Sequence, residues 1–218
     1  MIRKRVLLGG ALLVLAMLAC SLPGLRTPSP GGGGSSSSNV LMQDNFSNPK
    51  SGWEVGEYDT GEVGYGDGYY FVISYGNAST MWGVANRSFR NIVIEAEAKP
   101  VSGPDNNDYG VICREQGDGR GYYFLISGDG YYAIVKGTDA GYDWLVDFTE
   151  SSAIKQGYTT NRIRVVCDGS TLSLYVNGEL VGEASDTEFS SGDIALTATS
   201  YENESVEVRF DNLVVTAP

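Results

Sequence analysis

From about residue 40 onward, apolar and polar positions alternate with a period of two, the spacing that sends successive side chains to opposite faces of a strand. Ile92, Ile94, Ala96 and Ala98 alternate with Val93, Glu95, Glu97 and Lys99. Ile163, Val165 and Cys167 alternate with Arg162, Arg164 and Val166, and Leu172, Leu174 and Val176 with Thr171, Ser173 and Tyr175. One face of each strand is apolar and the other wet. Asp67-Gly68, Asp129-Gly130, Asp168-Gly169 and Asn177-Gly178 fall between such runs, where they supply the positive φ angles of tight hairpins. The last of them predicts a hairpin from Leu172 to Val181. No stretch of helical spacing is long enough for a helix. Strands that recur roughly every 8 to 12 residues between turn signals predict an all-β, two-sheet antiparallel sandwich, a jelly roll.

The same phase places Cys113 and Cys167 on apolar faces of different strands. In an oxidising compartment two inward cysteines are expected to bond, the alternative being two buried free thiols. If Cys113 faces inward, strict alternation turns Arg114 outward, into the company of Tyr123.

The N-terminus has a different composition. Arg3-Lys4-Arg5 precedes the apolar run Val6 to Ala19, 14 residues long, shorter than the roughly 20 that span a bilayer. This predicts a signal peptide over 1–19. Met17-Leu18-Ala19 before Cys20 resembles a bacterial lipobox, with Met where Leu is usual. It predicts a lipidated Cys20, the alternative being an incidental cysteine after an ordinary signal peptide. Residues 20–40 then form a linker: Gly31 to Gly34 followed by Ser35 to Ser38 offers no side chain able to build a core. The sandwich takes 41–218. The protein is thus expected to be exported and held through its lipid at the outer face of a bacterial cell membrane. Ser21, which carries no acidic retention signal, makes an outer membrane the alternative.

Charge and composition narrow the partners. The first 38 residues carry four basic groups and no acid, so the remaining 180 hold 11 basic against 27 acidic residues, near −16. A field of that sign repels nucleic acid and favours cations or neutral partners. Histidine is absent, which removes Ser-His-Asp triads, HExxH zinc sites and imidazole bases. Oxygen ligands in an acidic exported chain point to calcium before zinc.

Asp44-Asn45-Phe46, Ser51-Gly52-Trp53, the run Asp108 to Arg114, Tyr122 to Ile126 and Asp129 to Tyr132 carry a resemblance in their order and spacing. Asn161 to Val165, Leu174 to Gly178 and Phe210 to Val215 continue it. Together, over about 41 to 216, they resemble the concanavalin A-like lectin/glucanase superfamily, in particular the laminin G-like sandwiches of bacterial surface lipoproteins. The resemblance implies a jelly roll whose first and last strands lie side by side and whose concave sheet often holds glycans. It also implies a structural calcium, for which Asp44 and Asp211 are the candidate ligands, with Asp105 to Asp108 a second acidic loop; capping is the other use of such residues. No further cofactor is expected.

The glucanases of that superfamily carry Glu-x-Asp-x-x-Glu on one strand, and this chain lacks it. Glu95 and Glu97, about 7 Å apart on one strand face, are the nearest approach, and two acids alternating with Ile94 and Ala96 are what any solvated sheet face shows. Binding is better provided for. Flat rings stack on sugar C–H faces and planar polar groups bond hydroxyls, making Trp82, Asp108, Tyr109, Arg114, Tyr123, Tyr131 and Trp144 the candidate ligand-binding residues. Core filling is the competing use of each ring, and Trp53 is read as core. The expected activity is non-enzymatic binding of carbohydrate or a cell-surface polymer. A structural or protein-interaction module is the alternative, and a glycoside hydrolase the third reading.

Overall fold

The computed structural model describes residues 39–218; the expected signal peptide, Cys20 and nearly all of the expected linker lie outside the described residues. The described chain forms fifteen strands and no helix. In order they are β1 Val40–Asp44, β2 Gly56–Tyr58, β3 Gly61–Tyr65, β4 Tyr70–Ser74, β5 Ser79–Val84, β6 Ile92–Ser102, β7 Asp108–Glu115 and β8 Gly121–Ser127. β9 Tyr131–Thr138, β10 Gly141–Glu150, β11 Asn161–Asp168, β12 Thr171–Val176, β13 Glu179–Ser185, β14 Asp193–Ser200 and β15 Val206–Thr216 complete them.

All pairings are antiparallel, in two sheets. The larger runs β13-β12-β11-β6-β15-β4-β3-β2, with β1 added against β15, so the first and last strands are neighbours as the resemblance implied. The smaller runs β10-β9-β8-β7-β14-β5. This is the two-sheet sandwich that the alternation predicts.

The larger sheet follows the period-two rule closely. Ile92, Ile94, Ala96 and Ala98, then Ile163, Val165 and Cys167, then Leu172, Leu174 and Val176 are all buried between the sheets. The outward residues pair across strands: Glu95 meets the guanidinium groups of Arg162 and Arg164, and Glu97 accepts from Asn212 Nδ2 at 3.1 Å. Asn177 and Gly178 turn the β12–β13 hairpin with φ of 52° and 94°, the positive pair that a type I′ turn needs. At the preceding hairpin the sequence reading is off by one. Asp168 pairs with Thr171, so Gly169 and Ser170 make the turn.

The smaller sheet does not alternate. β7 and β8 are buried along their whole lengths. One face, with Tyr109, Val111, Cys113, Tyr122, Phe124 and Ile126, joins the main core. The other bears a separate buried cluster of Ile112, Tyr123, Leu125, Ala133, Val135 and Ala195, against which Trp82 and Val84 pack. A sandwich needs only one apolar face per sheet; here the outer face carries a second apolar layer that Trp82 and Val84 help to cover.

Trp53 is core, packed with Phe46 and Tyr70 at ring-centroid distances of 5.5 and 5.2 Å. Cys113 of β7 is bonded to Cys167 of β11 across the sandwich, which settles the choice between a disulfide and two free thiols. Such a bond belongs to an oxidising compartment.

Arg114 departs from the sequence reading. Glu115 pairs with Asp193 and Cys113 with Ile194, so Arg114 is an extra residue on β7, a β-bulge, and it has φ of 55°. The bulge reverses the alternation locally and sends the side chain inward, where it is 1% exposed. Its guanidinium donates to the carbonyls of Arg90 (3.1 Å), Gly169 (3.0 Å) and Phe189 (2.8 Å) and to Asn91 Oδ1 (3.4 Å). Arg114 therefore ties three chain segments together and is not a ligand-binding residue.

Candidate functional site

The apolar outer face of the smaller sheet carries two hollows. One is a depression of about 650 Å³ at the β5 side, lined by Trp82, Met81, Val84 and Tyr58 among polar groups that include Glu54, Asn86 and Gln116. The other is a tighter cavity of about 140 Å³ toward β10, lined by Tyr123, Leu125, Val135, Tyr142, Trp144 and Tyr201, with Asp108 and Thr199. Gly119, in the β7–β8 turn, stands beside both. A Cβ there would lie 3.1 Å from the Trp82 ring and 3.6 Å from the Tyr123 hydroxyl, and its φ is 86°. Glycine thus keeps this stretch low between the hollows.

Period two accounts for the aromatic walls. Tyr123 and Leu125 share the outer phase of β8, and Tyr142 and Trp144 share one phase of β10, with the Tyr123 and Tyr142 rings edge to face at 5.6 Å. The Tyr123 hydroxyl donates to Gly119 O at 2.6 Å, so that ring offers its face and not its hydroxyl. Trp144 stays 47% exposed at the rim, its ring tilted against that of Phe148 at a centroid distance of 5.2 Å.

Of the sequence-predicted residues, Asp108, Tyr123 and Trp144 meet in the cavity and Trp82 lies in the neighbouring depression. Tyr131, 38% exposed at the start of β9, lines neither hollow. Tyr109 is a correction. It faces the interior, 1% exposed, with Asn161 Nδ2 donating to its hydroxyl at 3.3 Å, and burial pushes its pKa up to about 12. The sequence reading missed Tyr142, which the Tyr142/Trp144 spacing signals, and Tyr201, which arrives from the turn after β14 and leaves no local trace.

The carboxylates of the depression are occupied. Glu115 accepts the N–H groups of Gly117 (2.8 Å) and Gly119 (2.9 Å), and Glu54 accepts the Tyr58 hydroxyl and the Val84 N–H. Burial raises the Asp193 carboxyl above its ordinary value, with the charge of Glu115 adding to the effect. Asp44 and Asp211, the expected calcium ligands, stand on the paired strands β1 and β15. Asp44 lies opposite Leu213 and accepts Phe46 N–H at 2.8 Å; Asp211 lies opposite Glu97 and accepts Asn212 N–H at 2.6 Å; the two line separate depressions. Among the described residues no group of three or more Cys, Asp or Glu side chains is placed to hold a metal ion.

Asp108 is the unusual acid. It is 1% exposed, its Oδ2 accepts the Tyr201 hydroxyl, the Thr199 hydroxyl stands beside the carboxyl, and its Oδ1 has no hydrogen-bond partner. Burial pushes its pKa from 3.8 up to about 6. A carboxyl raised on folding holds its proton more tightly in the folded chain, so the cost of ionising it is absent below about pH 4 and fully present above about pH 6. Asp108→Asn keeps an acceptor for Tyr201 and removes that cost. The variant should be more stable than the parent by roughly 2 to 3 kcal/mol at pH 7.5 and equal to it at pH 3.5, measured by urea denaturation at both pH values. Equal stabilities at pH 7.5 would show the carboxylate to be well solvated.

A model of the concanavalin A-like lectin/glucanases superfamily matches residues 60–215. The chain belongs to that superfamily. Solved structures agree on the fold. A carbohydrate binding module from Bacillus subtilis is similar with a TM-score of 0.55 at 17% identity, covering 77% of this chain and 96% of its own. A B. subtilis protein of unknown function with a galectin-like fold gives 0.62 at 10%, covering 82% and 96%. The β-glucanase of Bacillus licheniformis gives 0.60 at 11%, covering 81% and 97%. No curated protein matches the sequence. The same fold thus serves a carbohydrate binding module and a β-glucanase, and function has to be argued from the site.

Proposed function

We propose that this member of the concanavalin A-like superfamily is a non-enzymatic, extracytoplasmic carbohydrate-binding module, tethered to the bacterial envelope through a lipid on Cys20 and the glycine- and serine-rich linker. The observation that carries the reading is the apolar outer face of the smaller sheet, with Trp82 at one hollow and Tyr142 and Trp144 at the next. Rings beside amide and carboxyl groups are the composition of a sugar subsite. The carbohydrate binding module and galectin-like relatives support it at the level of the fold.

Hydrolysis is disfavoured by the acids themselves. A glycosidase needs two carboxyl groups flanking one bond. Glu95 is held by arginines on the outer face of the larger sheet; Glu54, Glu115 and Asp193 of the depression each accept hydrogen bonds from their own surroundings; and Asp108 has no second acid among the residues lining its cavity.

Among the described residues the main core runs from Met42 to Val215, so the fragment 39–218 is the one to assay. On a glycan array that fragment should retain a defined set of glycans. Trp82→Ala and Trp144→Ala should each weaken binding about tenfold or more, in line with stacking losses of about 1.5 kcal/mol. Release of sugar from a chromogenic glycan, lost on substituting Glu54 or Asp193, would replace this reading with an enzymatic one.

A further inference from the structure

We propose that the cavity formed by Tyr123, Tyr142, Trp144 and Tyr201 over Asp108 binds an organic ammonium group, and that its carrier is a sugar bearing a free amine. The choice of a sugar as carrier rests on the glycan-binding reading; the ammonium itself rests on the cavity.

The first support is the unpartnered oxygen. Asp108 is buried and lines the cavity; its Oδ2 accepts the Tyr201 hydroxyl and the Thr199 hydroxyl stands beside the carboxyl, yet Oδ1 has no hydrogen-bond partner. Buried carboxylate oxygens are normally satisfied, and one that is not marks a place where a donor is missing. A neutral hydroxyl would bond that oxygen but leave the buried negative charge uncompensated. No lysine or arginine lines the cavity. Lys136, on β9 of the same sheet, is already held by Asp186 and Glu188 at 3.2 and 2.9 Å.

The walls make the same selection. Four aromatic rings surround one small space, and the negative faces of such rings attract a cation within about 6 Å, more strongly once water is excluded. A metal ion is a poor occupant, since calcium takes six or more oxygens and the lining here is aromatic and aliphatic apart from Asp108 and two threonines. Size sets the scale. A space of about 140 Å³ is the share of four or five liquid waters, enough for one ammonium head and its neighbouring carbons but not for a disaccharide. The rest of a chain of sugars would then run along the outer face toward Trp82. The surplus of acids in the folded body favours the approach of cations.

The test is titration calorimetry of residues 39–218 at about 0.15 M salt with three probes: the β-1,4-linked disaccharide of glucosamine, its di-N-acetyl counterpart, and tetramethylammonium. The amine disaccharide should bind at least tenfold more tightly than the acetylated one. Asp108→Asn and Trp144→Ala should each remove at least tenfold of that affinity. Trp144→Ala leaves the net charge unchanged and truncates a half-exposed side chain, so its loss of binding separates a cavity from general adhesion of cations to an acidic protein. A thermal melt of Asp108→Asn confirms that variant's fold. If the acetylated disaccharide binds as well as the amine, the ammonium inference is overturned while the glycan reading stands. Binding of tetramethylammonium without any sugar supports the ammonium cavity and removes the sugar as its carrier. Binding of none of the three, or affinity untouched by Trp144→Ala, overturns the inference.

Discussion

Arg114→Ala should destabilise the folded chain by about 3 to 5 kcal/mol, seen as a lower urea midpoint with an unchanged slope. The side chain is fully buried and its guanidinium satisfies the carbonyls of Arg90, Gly169 and Phe189. Truncation strands those acceptors in the interior, at about 1 to 3 kcal/mol for each one that water does not reach. Burial also lowers the pKa of the guanidinium, a desolvation cost that disappears with the side chain and holds the net loss within the stated range. The stacking of Arg114 on Tyr122, at 5.9 Å, is lost as well. Because Arg114 has a positive φ, Arg114→Gly separates the two components of its role. Glycine removes the same bonds but relieves the left-handed backbone, so it should be about 1 kcal/mol less damaging than alanine. A variant as stable as the parent would mean that the three carbonyls are solvated.

Removing the disulfide should have an effect of similar size. Cys113 and Cys167 join β7 of one sheet to β11 of the other, 54 residues apart in sequence. In the chain-entropy account, closing a loop of that length stabilises by about 4 kcal/mol. Cys113→Ala with Cys167→Ala should therefore melt about 10 °C below the parent, taking 2 to 4 °C per kcal/mol for a domain of this size. Parent protein denatured and refolded in reductant should fall to nearly the same temperature. Both sulfurs are fully buried, so reductant added to the folded protein should act only at the rate of unfolding. A parent insensitive to reductant after refolding would show the bond to be unformed in solution.

These two predictions concern adjacent residues, Cys113 and Arg114, and they mark where the sequence could be read and where it could not. Alternation placed Cys113 inward, which the structure bears out. Applied one residue further, the same rule placed Arg114 outward and was wrong, because the bulge opposite Asp193 and Ile194 gives β7 an extra residue. Nothing local announces that bulge. It exists because Arg114 finds carbonyl partners on segments 24, 55 and 75 residues away. Tyr109 shows a related gap. Both faces of β7 are apolar, so alternation did not tell the core phase from the binding phase, and Tyr109 went to the interior while Ile112 went to the outer face.

The same division runs through the whole molecule. All-β class, antiparallel pairing, the Asn177-Gly178 hairpin, the inward cysteines and the core role of Trp53 are set by nearest-neighbour physics: a side-chain period of two, glycine's tolerance of positive φ, and the cost of exposing apolar surface. Those were legible in the sequence alone. The hollows were not. Asp108 and Tyr201 are 93 residues apart, and their meeting over Tyr123 and Trp144 depends on β14 lying between β5 and β7 and on β10 lying at the edge beyond β9. Strand order in an antiparallel sandwich is decided by long-range packing, which leaves no periodic signature in the chain, so the candidate residues were nameable from sequence but their convergence was decided by the tertiary fold.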